Sequence, residues 1–462
     1  MVIASDEVAA FRGSFGGEVL TPGDAGYDEA RSVWNGEIDR RPAVIARCTT
    51  ADHVVAAIAF ARARNAELSV RGGGHNYAGR AVCDDGVMID LSHMNTVTVD
   101  PAAKRAFAGG GATWADFDAA TQAHGLAATG GVISHTGVAG LTLGGGMGWL
   151  TRKAGLSCDN LVGVEIVTAD GRVLHGSDGE NADLFWAVRG GGGNFGVVTT
   201  FEFALHEVGP LANLALLFWP AEQAAAALRL ARDTIPRLPD GMGALVAAMS
   251  APPAPFVPEQ YQLMNGVALM IAGWNSPEEH LEAIAGARAA MPPLFELITP
   301  IPYTELQKML DESAPWGILA YEKALYLDEM SDAATEVIAE WLPKKASPMS
   351  LVPIFPLGGA YARVDDDATA FGGSRATGWV VNMNATGPTA ELLEADRAWV
   401  RAFWDALRPL ANGSGSYVNF IADNDDERVR DSYGEKYKRL AGIKTRYDPD
   451  NVFHLNANIK PA

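Results

Sequence analysis

Cysteine is scarce in this chain. Cys48, Cys83 and Cys158 are its only thiols in 462 residues. So sparse and odd a set excludes a disulfide framework and a Cys-x-x-Cys metal site, and no metal is expected. Basic residues are also few: 36 Lys and Arg against 56 Asp and Glu give a formal charge of −20. Nucleic acid and anionic membrane surfaces are therefore poor partners. No apolar run is long enough to span a bilayer. The start, Met1 to Glu7, has neither a basic n-region nor a long apolar stretch, so no signal peptide is expected. A reducing cytoplasm fits the cysteine usage.

Glycine, by contrast, is plentiful and clustered: 50 residues, with the clusters ending near Gly209-Pro210. The first cluster is Arg71-Gly72-Gly73-Gly74-His75-Asn76. It follows Leu68-Ser69-Val70, which reads as a strand. Glycines there let the backbone turn sharply, and successive N–H groups form a concavity that holds anions such as a pyrophosphate. No Gly-Lys-Ser/Thr follows, which excludes a Walker loop. From spacing alone His75 reads as a capping or core residue. Gly191-x-Gly193-x-x-Gly196 matches the dinucleotide fingerprint in letters but not in context, because a helix precedes it and the strand Val197 to Ala204 follows.

Around these clusters the pattern predicts strands at 43–46, 87–91 and 96–99, and a hairpin around Asp170-Gly171. It predicts helices at 53–64 (capped by Thr49 or Thr50), 113–124 and 181–189. The stretch Gly137 to Trp149 carries too much glycine for a stable isolated helix. Beyond residue 210, strands at 214–219, 267–274, 351–355 and 379–383 alternate with helices at 221–235, 277–291, 332–341 and 389–410. That arrangement predicts an α+β domain, a sheet with helices on one face. A strand-like piece, a charged helix and an Asp448-Pro449 turn close the chain.

Several of these stretches, taken in order, carry a resemblance. Arg71 to Asn76, Gly144-Gly145-Gly146-Met147-Gly148, Gly155-Leu156-x-Cys158-Asp159-Asn160, Phe185 to Gly196, Tyr417-Val418-Asn419-Phe420 and Tyr447-Asp448-Pro449-x-Asn451 resemble the berberine bridge enzyme-like FAD-linked oxidases, of the p-cresol methylhydroxylase/vanillyl-alcohol oxidase fold. The resemblance covers nearly the whole chain and is weakest in the middle. It implies a two-part FAD-binding domain, residues 1–210 and 413–462, around a substrate domain at 211–412 with an antiparallel sheet covered by helices. It implies FAD bonded covalently to His75. Many such enzymes carry a second link through a cysteine; Ile133 stands at that place here, so no cysteinyl link is expected. Cys158 reads as a small buried residue.

The resemblance places the cofactor against Arg71, Gly72, Gly73, Gly74, His75, Asn76, Gly79, Gly130, Ile133, Thr136, Gly137, Gly140, Gly145, Gly146, Gly148, Trp149, Asn160, Gly196, Val198, Tyr417 and Asn419. Tyr417 is the first choice of catalytic base; the motif's second tyrosine is Phe420 here. Tyr321 and Glu322 are further candidates, and His135 reads as structural. Gly145, Gly146 and Gly193 are expected to tolerate no side chain. The implied activity is hydride removal from an alcohol or activated C–H of a small sugar-type or secondary-metabolite substrate, with O₂ as acceptor and H₂O₂ released. The alternatives are a dehydrogenase with another acceptor and a catalytically silent flavin- or sugar-binding protein. A monomer or homodimer is expected.

Overall fold

The computed structural model describes residues 3–411, 413, 415–423 and 426–462. Met1, Val2 and Asn412, the last residue of the expected substrate domain, lie outside them.

The first sheet has the order Glu18–Leu20, Val44–Arg47, Val87–Asp90, Leu68–Arg71, parallel except for its first strand. Parallel neighbours need a crossover, and the helix Ala51–Arg62 supplies one, its first turn capped by the Thr50 side chain. Val87–Asp90 is buried along its whole length, as a strand covered on both faces must be. Leu68–Arg71 lies at the sheet's edge and delivers the chain directly into Gly72–Asn76.

A second, antiparallel sheet runs Val97–Asp100, Arg105–Gly109, Val197–Ala204, Leu161–Val167, Val173–Gly176. The expected hairpin is present, with Gly171 at φ +81° in its turn. The C-terminal segment returns to this part of the molecule: Val418, Ile421, Leu440, Ile443 and Ile459 share one core with Trp114, Phe117, Phe201 and Phe203.

Val138–Gly144, too rich in glycine to be stable as an isolated helix, is a helix here because tertiary burial of Val138 and Leu143 offsets the roughly 1 kcal/mol that each glycine costs. One expectation fails. The strand-like piece after Ser416 is a 3₁₀ turn, Val418–Phe420.

The middle sheet is antiparallel throughout, in the order Phe295–Pro302, Leu211–Pro220, Asn265–Gly273, Gly243–Ser250, Val352–Leu357, Gly378–Gly387, Leu319–Leu327. Gly243–Ser250 escaped the sequence reading because it is rich in alanine. Phe295–Pro302 escaped because of its prolines, which an edge strand tolerates.

Side chains alternate between the sheet's two faces. Leu217, Trp219, Leu269, Ile271, Val381 and Met383 pack on helices that include Ala224–Thr234 and Ala390–Leu407. Leu216, Phe218, Ala268, Met270, Ala324 and Val380 face the other way, onto Met147, Trp149, Cys158 and Tyr417. The glycine loop after residue 144 therefore lies beneath the inner face of this sheet.

Candidate active site

The first glycine turn is pressed against the turn before Val138–Gly144. A Cβ on Gly73 would collide with the backbone of Gly137, and one on Gly137 with Gly73. Among the described residues, the backbone N–H groups of Gly73, Gly74, His75 and Asn76 have no acceptor within the chain. Four successive free donors form a cradle for an anion. Gly74 and Gly79 hold φ near +68°, and a Cβ at Gly79 would meet Ile38 at 2.6 Å.

His75 ends the cradle in an aromatic enclosure. Trp34 stacks on its ring with centroids 5.1 Å apart, and Trp316 meets it edge-on at 5.9 Å. Its Nε2 lies 2.6 Å from Nδ1 of His135, while its own Nδ1 takes no hydrogen bond among the described residues. Burial, with His135 adjacent, pushes the His75 pKa down to about 3, so the ring is neutral at working pH.

The second glycine loop is braced by the C-terminal motif. The Tyr417 hydroxyl accepts the Gly146 N–H at 2.7 Å and the Asn419 amide N–H at 2.8 Å. Asn419 also donates to the Leu141 carbonyl at 3.0 Å. Gly145 (φ +132°) and Gly146 (φ +91°) take backbone shapes closed to side chains, and Phe371 and Ser157 fill the space a Cβ would need. Gly145→Val is therefore expected to yield unstable protein with little bound flavin, measured by thermal melting and by the flavin-to-protein absorbance ratio. Normal folding and loading would remove this loop from the site.

Opposite the loop, the inner face of the middle sheet carries a short polar row. Glu322 is 1% exposed; its Oε2 accepts from the Asn382 amide at 3.0 Å and its Oε1 has no partner. Asn382 and Asn384, two residues apart on Gly378–Gly387, each bury an unpartnered Oδ1. Burial raises the Glu322 carboxyl to about 8 against the opposing effects of Asn382 and Arg80. Its charge is felt at Tyr77, just after His75, and at Tyr417. Tyr77 and Arg80 also line a surface cleft of about 610 Å³. Phe355, Phe371 and Phe420 surround Tyr417.

The structure thus draws Glu322, Tyr417 and Asn419 together, with His75 two residues before the Tyr77 that feels the Glu322 charge, and leaves other expected residues elsewhere. Tyr321 does not join them: it points to the opposite, helix-covered face, where its hydroxyl donates to Asp423 at 2.5 Å and Arg397 and Arg401 stack on its ring. Burial raises the Tyr417 pKa well above the usual phenol range, while the Gly146 and Asn419 N–H groups donated to its oxygen act the other way. Asn160 spends its amide on Ala154, Leu156 and His206.

Arg71 reaches the Ala30 carbonyl at 2.5 Å and keeps a buried, unpartnered Nε. Gly130 and Gly148 touch each other, Gly196 touches Val167, and Gly140 has open space around it. Ile133 and Thr136 form the turn beside His135. Trp149 is buried beneath the middle sheet, and Val198 lies beside Gly110.

At Gly193 no protein atom lies within 4 Å of where its Cβ would be, so no packed neighbour closes that position to a side chain. That third glycine loop docks the C-terminal segment instead. Asn194 binds the Ala457 carbonyl and the Ile459 N–H, and the buried Lys444 ammonium donates to the Asn194 carbonyl at 2.7 Å.

Sequence reasoning missed Trp34, Tyr77, Arg80, Asn382 and Asn384. Only the asparagines left a signal, as polar residues at period two inside the apolar run Val380 to Ala385.

This geometry matches known proteins throughout its length. A family model for an FAD binding domain matches residues 42–177, and one for berberine and berberine-like proteins matches 416–460. The chain is 31% identical to (R)-6-hydroxynicotine oxidase of Paenarthrobacter nicotinovorans, over 97% of each protein. It is 30% identical to an FAD-linked oxidoreductase of Dictyostelium discoideum, over 99% of this chain and 98% of that protein. The chain belongs to the berberine bridge enzyme-like FAD-linked oxidoreductases.

The crystal structure of 6-hydroxy-D-nicotine oxidase from Arthrobacter nicotinovorans superposes with a TM-score of 0.86 at 31% identity, covering 97% of this chain and 99% of that one. The fold is shared with a berberine bridge enzyme-like protein of Physcomitrella patens, TM-score 0.87 at 22% identity, over 98% and 99% of the two chains.

The residues present fit FAD. The free N–H groups of Gly73 to Asn76 suit its pyrophosphate, the closed glycine loop suits a flat ring laid on backbone, and the orphaned oxygens of Glu322, Asn382 and Asn384 await partners. Among the described residues, no group of His, Cys, Asp and Glu could hold a metal ion, and no helix is long and apolar enough to cross a membrane.

Proposed function

We propose that this FAD-linked oxidoreductase is an oxidase of small, largely apolar molecules, removing a hydride from a carbon that bears an amine or hydroxyl and passing the electrons to O₂. The observation that carries this reading is the Glu322 carboxyl, buried with one oxygen unpartnered on a sheet face where Asn382 and Asn384 stand beside it among Leu, Ala, Met and Phe. A buried polar atom without a partner costs about 1–3 kcal/mol; a substrate N–H or O–H removes that cost. An oligosaccharide would need many more polar partners than Glu322, Asn382 and Asn384 offer. The relative acting on 6-hydroxynicotine supports an amine on a flat ring as the first class to test.

Residues 1–210 and 413–462 hold the flavin in this reading, and 211–412 the substrate. Bound FAD supplies the two-electron acceptor. His75 alone anchors it: Cys158 is fully buried, and that burial holds its thiol well above the usual range, so little thiolate is available to form a bond. Glu322 takes the substrate's N–H or O–H proton, a role that the burial of the Tyr417 phenol favours leaving to it. Asn382 holds the Glu322 carboxylate through Oε2 and so aims Oε1 at the substrate. Neither Thr136 nor Gly137 is bulky, which favours access of O₂.

The test is anaerobic mixing with a panel of ring amines, benzylic alcohols and oligosaccharides, repeated in air with peroxide detection. Bleaching by an amine or alcohol, with stoichiometric peroxide in air, is expected. Bleaching by oligosaccharides alone, or reoxidation only by an added quinone or dye, overturns the reading.

Tyr417→Phe provides a separate check. Loss of the hydroxyl removes the acceptor for the Gly146 N–H of the loop and for the Asn419 amide, so flavin loading and melting temperature should fall. In the loaded fraction the rate of flavin reduction should change by less than about tenfold, because the positioned base, with its ~10²–10⁴-fold contribution, remains.

A further inference from the structure

The contact between His75 and His135 has no part in substrate oxidation as proposed above. We propose that His135 is a positioning residue for flavin attachment: it holds the His75 ring with Nδ1 free and accepts the imidazole proton as Nδ1 bonds to the flavin methyl carbon. This rests on the reading of His75 as the attachment residue.

Two neutral imidazoles 2.6 Å apart can share only one proton between Nε2 of His75 and Nδ1 of His135. If His75 donates it, its lone pair stands on Nδ1, the nitrogen that has no other partner among the described residues. If His135 donated instead, the His75 proton would sit on Nδ1 and block the bond. Trp34 and Trp316 wall the His75 ring and leave it little room to turn.

His135 is itself held in place. Its neighbour Ser134 donates both backbone N–H and hydroxyl to the Asp311 carboxylate, at 2.7 and 2.5 Å. Burial lowers the His135 pKa, and the field of Asp311 works against that by favouring a proton on the ring. Trp316, beside His135, is 46% exposed, so the proton has a short way to solvent.

The chemistry balances. One methyl C–H bond and one imidazole N–H bond break, and one C–N bond forms. The two electrons released are taken up by the flavin and pass to O₂, which leaves as H₂O₂ with two protons. His135 handles the proton that comes from His75.

The test uses full-length protein made in flavin-limited cells and then mixed with FAD in air. Covalent attachment is followed by flavin fluorescence on denaturing gels, and reversible binding by fluorescence quenching. His135→Ala should bind FAD reversibly but attach it ~10²-fold more slowly or worse, the range of a positioned base. His135→Asn keeps a hydrogen-bond acceptor toward Nε2 but cannot take the proton, and should be slow as well while melting like the parent. Attachment at the parental rate in either variant overturns the role of His135. Release of FAD by acid from the unmutated protein overturns the attachment reading of His75 itself, a separate and recognisable result.

Discussion

Alanine in place of His75 is expected to give a folded protein that binds FAD and then loses all of it to the supernatant on acid precipitation, whereas the parent pellet stays yellow. The effect should be complete, because the reading provides no second bond. Cys48 and Cys158 are fully buried and Cys83 nearly so, and burial holds all three thiols above their usual range. Cys158→Ala should therefore leave attachment intact. The fold should survive His75→Ala, since the cradle is built from backbone and from the Gly73–Gly137 contact, neither of which needs the imidazole. Flavin recovered on a peptide containing Cys158 would sink the reading.

The next largest effect is expected at Glu322. The substitution Glu322→Gln keeps an oxygen for the Asn382 amide and the same volume, and loses only the ability to take a proton. Flavin reduction by a good substrate should slow ~10²–10⁴-fold, which is about 3–5 kcal/mol of barrier. Melting should be unchanged or slightly higher, because no carboxyl remains buried with an unmet oxygen.

The pH profile gives the sharper test. Burial raises the Glu322 pKa to about 8, so the carboxyl is protonated below that pH and the base form accumulates above it. In the parent, kcat/KM should rise with pH through about 8; in Glu322→Gln that limb should be absent. A variant that keeps both the rate and the limb would return the base to Tyr417.

How much of this could be read beforehand differs from one element to the next. The strand into the first cradle and the cradle's glycines were legible, since three glycines after a strand-like run mark a sharp turn with bare N–H groups, whereas the part of His75 came only with the family resemblance. So were the antiparallel character of the middle domain and the resemblance of both ends to one family. The side-chain roles were less so. Tyr321 and Glu322 are neighbours in sequence, yet their fates diverge because successive strand residues face opposite sides. Only the register Glu322 with Asn384 shows which side is inward.

Gly193 looked like Gly145 in a string of letters. The difference lies in what the loop touches: Asn194 and the C-terminal segment rather than Tyr417 and Phe371. His135 looked structural because its partner, His75, is 60 residues away in sequence.

The return of the C-terminal segment also fixes an order of events during synthesis. Tyr417 and Asn419, which brace the second glycine loop, leave the ribosome long after His75 and the cradle. Until they arrive, Gly146 lacks the acceptor for its N–H and Gly144 lacks the asparagine that packs on it. In the reading proposed above, the cofactor site is thus finished only by the last tenth of the polypeptide. Nascent chains stalled before Tyr417 should remain colourless however much FAD surrounds them, and pigmentation should report translation carried through to completion.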